Sequence, residues 1–187
     1  MTQIGIQPYP FSDPKNINRL PEYDQIFKAP IGIDVAHHEI HEGDAFTYCD
    51  VVALGNGAIQ NYLITTPNTG KWAHLGYDID FNDGAGLFEI FEATDKVGTT
   101  LQTAYNHNRN VTSLSTTIVH KDISGGTTDG TKICMRRSGS RSISGQVGSS
   151  AERVLKQNTK YIIRLTNLTA TTNNLSFEIY WYEHTSG

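Results

Sequence analysis

Three histidines crowd into the run HHEIH, at His37, His38 and His41. A helical zinc-protease motif, HExxH, would need a histidine at position 42, and Glu42 stands there instead. On a strand, His37 and His41 share one face with Glu39 between them, while His38 points the other way. A metal centre would then need a further ligand, such as His74, His107 or His120. Clustered surface histidines are more often incidental or interfacial, and neither a metal nor a cofactor is expected. Carboxylates recur in pairs, Asp78 with Asp80 and Glu89 with Glu92. Asp78 and Asp80 fall on the polar face of one strand, a solvated face by default. Glycoside hydrolysis needs two carboxylates from separate elements across a cleft, which spacing cannot supply. The chain holds no GxSxG, no P-loop and no GxGxxG between a strand and a helix. TDGTK (128–132) and NDG (82–84) read as tight turns, without the regular Asp/Asn spacing of a calcium loop. No catalytic residue is expected, and the chain is not read as an enzyme.

The remaining chemistry-bearing groups are thiols, amides and aromatics. Cys49 and Cys134 sit in strand-like runs, FTYCDVV and TKICMRR. Two thiols make no disulfide framework and suit a reducing compartment; whether they pair is left open by the sequence. Asn-x-Ser/Thr triplets begin at Asn110, Asn167 and Asn174, as chance allows in a chain rich in Asn and Thr. Trp72, Trp181, Tyr180 and Tyr182 would make a sugar-stacking platform if exposed together. Trp181 shares a strand face with Phe177 and Ile179 and so reads as core. Tyr180 and Tyr182 face the other way, and are the expected exposed ligand surface or subunit contact.

These groups must be positioned by strands. Leu75, Tyr77, Ile79 and Phe81 alternate with polar residues, as do Tyr161, Ile163 and Leu165, and then Leu175, Phe177, Ile179 and Trp181. Further strand candidates are 33–40, 45–53, 59–65, 86–93, 111–120 and 131–137. Turn signals separate them: GNG at 55–57, PNTG at 67–70, NDGAG at 82–86, SGGTTDG at 124–130 and TNN at 172–174. Only AERVLK (151–156) suggests a helical turn. About nine short strands imply an all-β, antiparallel sandwich of jelly-roll type over residues 31–187, with a closed up-and-down barrel as the competitor. SGSRSISGQVGSS (138–150) is nine-thirteenths Ser and Gly; it reads as a long loop, functional or merely tolerated.

Residues 1–30 differ in kind. Five of the six prolines lie there, which excludes a long helix or a central strand. The segment also carries many large apolar groups, unlike a solvated linker. It is expected to be an extended arm that lies either on its own domain or on a neighbouring subunit, with Tyr9, Phe11, Leu20, Tyr23 and Phe27 as the contacting residues.

The 187 residues carry a net charge of -4, and 18% are charged, below the ~25% usual for soluble domains. Charge is segregated: residues 22–95 hold thirteen acidic and two basic side chains, and residues 132–164 eight basic and one acidic. The two groups either neutralise each other across neighbouring strands or mark opposite faces that orient assembly contacts. The basic stretch has Tyr161 as its sole aromatic, so nucleic acid is not an expected partner. No apolar run approaches ~18 residues, and the opening MTQIGIQPYPF has no apolar leader core, so neither a membrane span nor a secretory signal is expected.

Five strings, NYLITTPNTGKWAH, LFEIFEATDKVGTTLQTAYNHNRN, GGTTDGTKI, VLKQNTKYIIRLTN and WYEHT, resemble a family of tailed-bacteriophage structural proteins. These are small β-rich proteins encoded beside the major capsid protein, which decorate the head. The resemblance spans about residues 37–185 and rests on fold-forming strings. It implies a jelly-roll-like decoration (cement) protein, a homotrimer, that binds the major capsid protein on the outer capsid surface of the virion and is made in the bacterial host cytoplasm. It hands over no functional residue. The rival reading is a glycan- or receptor-binding module of a tail fibre or baseplate, using Tyr180, Tyr182 and the 138–150 loop. A β-sandwich hydrolase or lyase lacks a motif.

Overall fold

The computed structural model describes residues 35–139, 142–145 and 152–185. The expected arm at 1–30, with Tyr9, Phe11, Leu20, Tyr23 and Phe27, lies outside the described residues, as do most of 138–150. In chain order the elements are α1 (Val35–Glu42), β1 (Ala45–Leu54), β2 (Ile59–Thr65), β3 (Lys71–Phe81), β4 (Gly86–Glu92), β5 (Val97–Leu101) and β6 (Tyr105–Asn106). They continue with β7 (Ile118–Ser124), β8 (Thr131–Ser138), β9 (Ser142–Gly145), β10 (Arg153–Val154), β11 (Lys160–Asn167) and β12 (Asn173–Thr185).

The strands form two antiparallel sheets. In the first, β3, β12, β1 and β6 follow in that order, and β9 and β10 both pair with the outer edge of β3. The second runs β5-β7-β2-β11-β4-β8. Early strands pair with late ones: β1 with β12, β2 with β11, β3 with β9 and β10, and β4 with β8. This nested order is that of a jelly roll, an eight-strand ribbon rolled so that its two arms lie side by side. It excludes the up-and-down barrel, in which consecutive strands would pair. The excursion between β4 and β8 adds β5 and β7 to the second sheet and β6 to the first.

Alternation explains the core. Phe46, Tyr48, Leu75, Tyr77, Ile79, Phe81, Phe177, Ile179 and Trp181 face inward from the first sheet, and Tyr62, Ile64, Phe88, Ile90, Tyr161, Ile163 and Leu165 from the second. Aromatic contacts tie the layers together: Tyr62 stacks on Phe177 with centroids 4.1 Å apart, and Tyr77 meets Phe88 at 4.6 Å. Such pairs contribute about 0.5–1.5 kcal/mol beyond their buried area.

Several local expectations change. The described part of the 33–40 strand candidate is helical, as α1. Its end is a Schellman turn, with Asp44 N bonded to Glu39 O (2.9 Å) and Gly43 N to Ile40 O (3.2 Å). Gly43 sits at φ +81°, and a Cβ there would lie 2.6 Å from Val111, so both the turn and its neighbour require glycine. In the 111–120 candidate the strand begins only at Ile118, and AERVLK contains the two-residue strand β10 rather than a helical turn.

Candidate functional site: the outer face of the first sheet

The outward residues of β1, β12 and β3 form one continuous surface. Register places Thr47 beside Tyr180, and Cys49 beside Glu178, which neighbours Asp78; Val51 lies beside Ser176, which neighbours Asp80. Cys49, Val51, Asp78, Asp80, Ser176 and Glu178 line a shallow groove of about 180 Å³. Partial burial raises the Asp78 carboxyl above its ordinary range, and the charges of Asp80 and Glu178 push it the same way. Glu178 accepts a hydrogen bond from Thr47 (3.1 Å). Neither Asp78 nor Glu178 forms an ion pair among the described residues. Burial likewise raises the Cys49 thiol, and Glu178 adds to the effect. The thiol is therefore protonated near neutrality and is no activated nucleophile. Cys49 and Cys134 are both free.

One end of this face is aromatic and histidine-rich. Tyr182, expected to be exposed, is 7% exposed, whereas Tyr180 is half-buried. The period-two reading placed Tyr182 on the correct side of the sheet, but that side is covered locally. Its ring stacks on His74 at 4.5 Å and its hydroxyl donates to Glu152 (3.1 Å). Glu152 also bonds His74 Nδ1, and His74 Nε2 meets His184 Nε2 at 2.8 Å. Trp72, cross-strand from His184, is 43% exposed. With Val154, Leu155, Lys156 and Gln157 it lines an open cleft of about 320 Å³. Trp181 lies in the core, as alternation predicts.

The other candidates disperse. His37 and His41 meet on one face of α1, Nε2 to Nε2 at 3.0 Å, with His38 beside Glu42. His74, His107 and His120 do not join them; among the described residues no three or more His, Cys, Asp or Glu side chains gather as a metal site. Glu89 pairs with Lys132 on β8, and Glu92 with Lys156 in the turn before β11, so both carboxylates of this pair are neutralised by lysines. Part of the basic run thus answers part of the acidic run, while Asp78 and Glu178 form no ion pair with its described residues. Asn167, fully buried, donates to Leu54 O (2.8 Å) and Thr171 O (2.7 Å), so its triplet is structural.

Glu183 carries a role that spacing did not reveal. It is 1% exposed and accepts hydrogen bonds from Ser115 Oγ (2.7 Å), Thr117 N (2.9 Å), Trp181 Nε1 (3.1 Å) and the amide and hydroxyl of Thr116. Burial alone would raise its pKa, but these donors outweigh burial and hold it below the usual glutamate range. A charged residue at an inward register position is the available signal; three of its partners, Ser115, Thr116 and Thr117, lie more than sixty residues away and are not legible in the sequence.

No family model, curated protein or solved structure matches this chain. No helix among the described residues is long and apolar enough to cross a membrane.

Proposed function

We propose that the chain is a non-enzymatic head decoration protein of a tailed bacteriophage. It sits on the outer capsid surface as a homotrimer and bridges adjacent major capsid subunits. The observation that carries this reading is the cross-strand pair of like charges on the outer face of the first sheet. Asp78 and Glu178 stand directly opposite each other with no cation beside them among the described residues. Like charges placed cross-strand destabilise a fold, and a cationic partner surface relieves that repulsion on docking. The nested jelly-roll order and the five strings above support the same reading. They fall on β2–β3, β4–β6, the β7–β8 turn, β10–β11 and the end of β12, which are fold-forming positions. Fold alone does not choose a function, so the weight rests on the pair. Three copies around a closed axis multiply weak contacts by effective concentration.

The test is occupancy on purified heads, measured by electron microscopy and co-sedimentation. Asp78→Asn/Glu178→Gln is expected to remain folded and to lose attachment. Deleting residues 1–30 is expected to leave a folded body that also fails to attach. Wild-type occupancy for the charge variant would overturn the role of the pair, and for the deletion, the role of the arm.

The exposed Trp72 cleft favours a second reading, a glycan-binding module of a tail fibre or baseplate. Burial of Tyr182 moves the candidate sugar platform to Trp72. Glycan-array binding abolished by Trp72→Ala, with no attachment to heads, would select it.

A further inference from the structure

We propose that His74 and His184 form a two-histidine site for a divalent transition-metal ion of square or octahedral preference, the class of Cu²⁺ and Ni²⁺. His74 Nδ1 faces Glu152 Oε1, which also accepts the Tyr182 hydroxyl. His184 Nδ1 faces the carbonyl oxygen of Thr185 at 3.0 Å. A carbonyl only accepts, and a carboxylate oxygen already taking a tyrosine hydroxyl acts as an acceptor too, so both Nδ1 atoms carry hydrogen. Each neutral ring then keeps its lone pair on Nε2. The two Nε2 atoms lie 2.8 Å apart, with the ring centroids 4.6 Å apart and the planes tilted by 37°. Two lone pairs that close repel unless both converge on one cation.

A metal ion meets the requirement. Bonds of about 2.0 Å from imidazole nitrogen, set at a right angle, put the two nitrogens about 2.8 Å apart. A tetrahedral angle would open them to about 3.3 Å. The spacing therefore favours neighbouring positions of a square or octahedral ion over tetrahedral zinc. The surroundings match what metal-bound histidines have around them, the far nitrogen donating to a carboxylate in one case and to a backbone carbonyl in the other. Stacking of His74 on Tyr182, with ring planes 13° apart, holds the ring in place. The His74 and Glu152 side chains are 13% and 15% exposed. His184 is half-buried, which leaves an open side where water completes the coordination. Glu152 supplies the negative charge and acts as a positioning residue.

The test titrates the full chain, carrying His37→Ala/His41→Ala to remove the helical pair, with Cu²⁺ and Ni²⁺ at neutral pH. The expected result is one equivalent bound, with a copper electron paramagnetic resonance spectrum showing two equatorial nitrogens. Further His184→Ala or His74→Ala should lower affinity at least 10-fold. Glu152→Gln should lower it 10–100-fold while the two-nitrogen signature persists. Thermal melts of the metal-free proteins check that each variant is folded; should His74→Ala unfold, His184→Gln decides. No binding by the parent, or equal binding after loss of His184, overturns the proposal and leaves a shared proton as the cation between the rings.

Discussion

The two sheets use their outer faces in opposite ways. On the second sheet, Leu63, Phe91 and Ile162 point away from the main core yet are 1%, 7% and 0% exposed, and pack with Ile123 as a small second core. The Phe91 ring lies under the Arg164 guanidinium at 4.8 Å and the Lys132 ammonium at 5.3 Å. On the first sheet the outer face carries Cys49, Asp78, Glu178 and the paired histidines, with Val51 72% exposed. Apolar burial on one face stabilises the fold, whereas the cross-strand like charges Asp78 and Glu178 on the other work against it.

The sharpest way to break that contrast is a pair of truncations. Ile162→Ala on the second sheet should cost about 3 kcal/mol, because it leaves a cavity in a packed cluster. Val51→Ala on the first sheet should change stability by less than about 0.5 kcal/mol. Urea denaturation of both variants checks the difference. Equal losses would mean that the first sheet's outer face is packed as well.

Glu183 tests how firmly the first sheet is held on its inner side. Replacement by Ala strands several buried donors and should cost about 2 kcal/mol. The pH dependence follows from the sign of its shift. Its folded pKa lies below the usual value of 4.5, so its contribution is present above that value and is lost as pH falls through the lower, folded one. Melting temperature should therefore drop on acidification below about pH 4.5, and that part of the slope should vanish in Glu183→Gln. An unchanged slope would assign acid sensitivity to other carboxylates.

The contrast between faces was only half legible in the sequence. Period two named the inward residues of β3, β11 and β12 correctly, since burial on one face writes itself into alternation. It could not separate helix from strand over 35–42, because a spacing of four puts His37 and His41 on one face in either. That choice rests on the Gly43 turn and the contact with Val111, which lies 68 residues along the chain. The histidine pairs show the same limit. His37 and His41 were visible as neighbours, whereas His74 and His184 are 110 residues apart and meet only because β3 pairs with β12. Tyr182 was misjudged because alternation reports the side of a sheet and says nothing about what covers that side.

A smaller effect, of opposite sign, should come from the acidic pair. Asp78 has a raised pKa, so its ionised form is disfavoured in the folded chain and stability is lost as pH rises through its usual range. Asp78→Asn should then stabilise the isolated protein at pH 7 by about 0.5 kcal/mol, the scale of a cross-strand like-charge pair, while weakening attachment. Thermal melts beside the head-binding assay read both. A loss of stability would show that Asp78 is held by favourable contacts, and the case for a strained docking surface would fail with it.

The smallest effect belongs to the second sheet's turn. Asp95 accepts the amides of Thr127 (2.8 Å) and Thr128 (3.0 Å), which draw its carboxyl down to about 2. It therefore still holds the turn at pH values that disarm ordinary carboxylates, and lets go only as pH falls through about 2. The residue is solvent-facing, so Asp95→Ala should leave the melting temperature nearly unchanged, yet hydrogen exchange at Thr127 and Thr128 should quicken at neutral pH. The side chain would then order a loop without stabilising the body, as expected where the adjoining cluster of Leu63, Phe91 and Ile162 already supplies the stability. A large fall in melting temperature would instead make the turn part of that cluster, and the second sheet's outer face would owe its firmness to electrostatics as much as to burial.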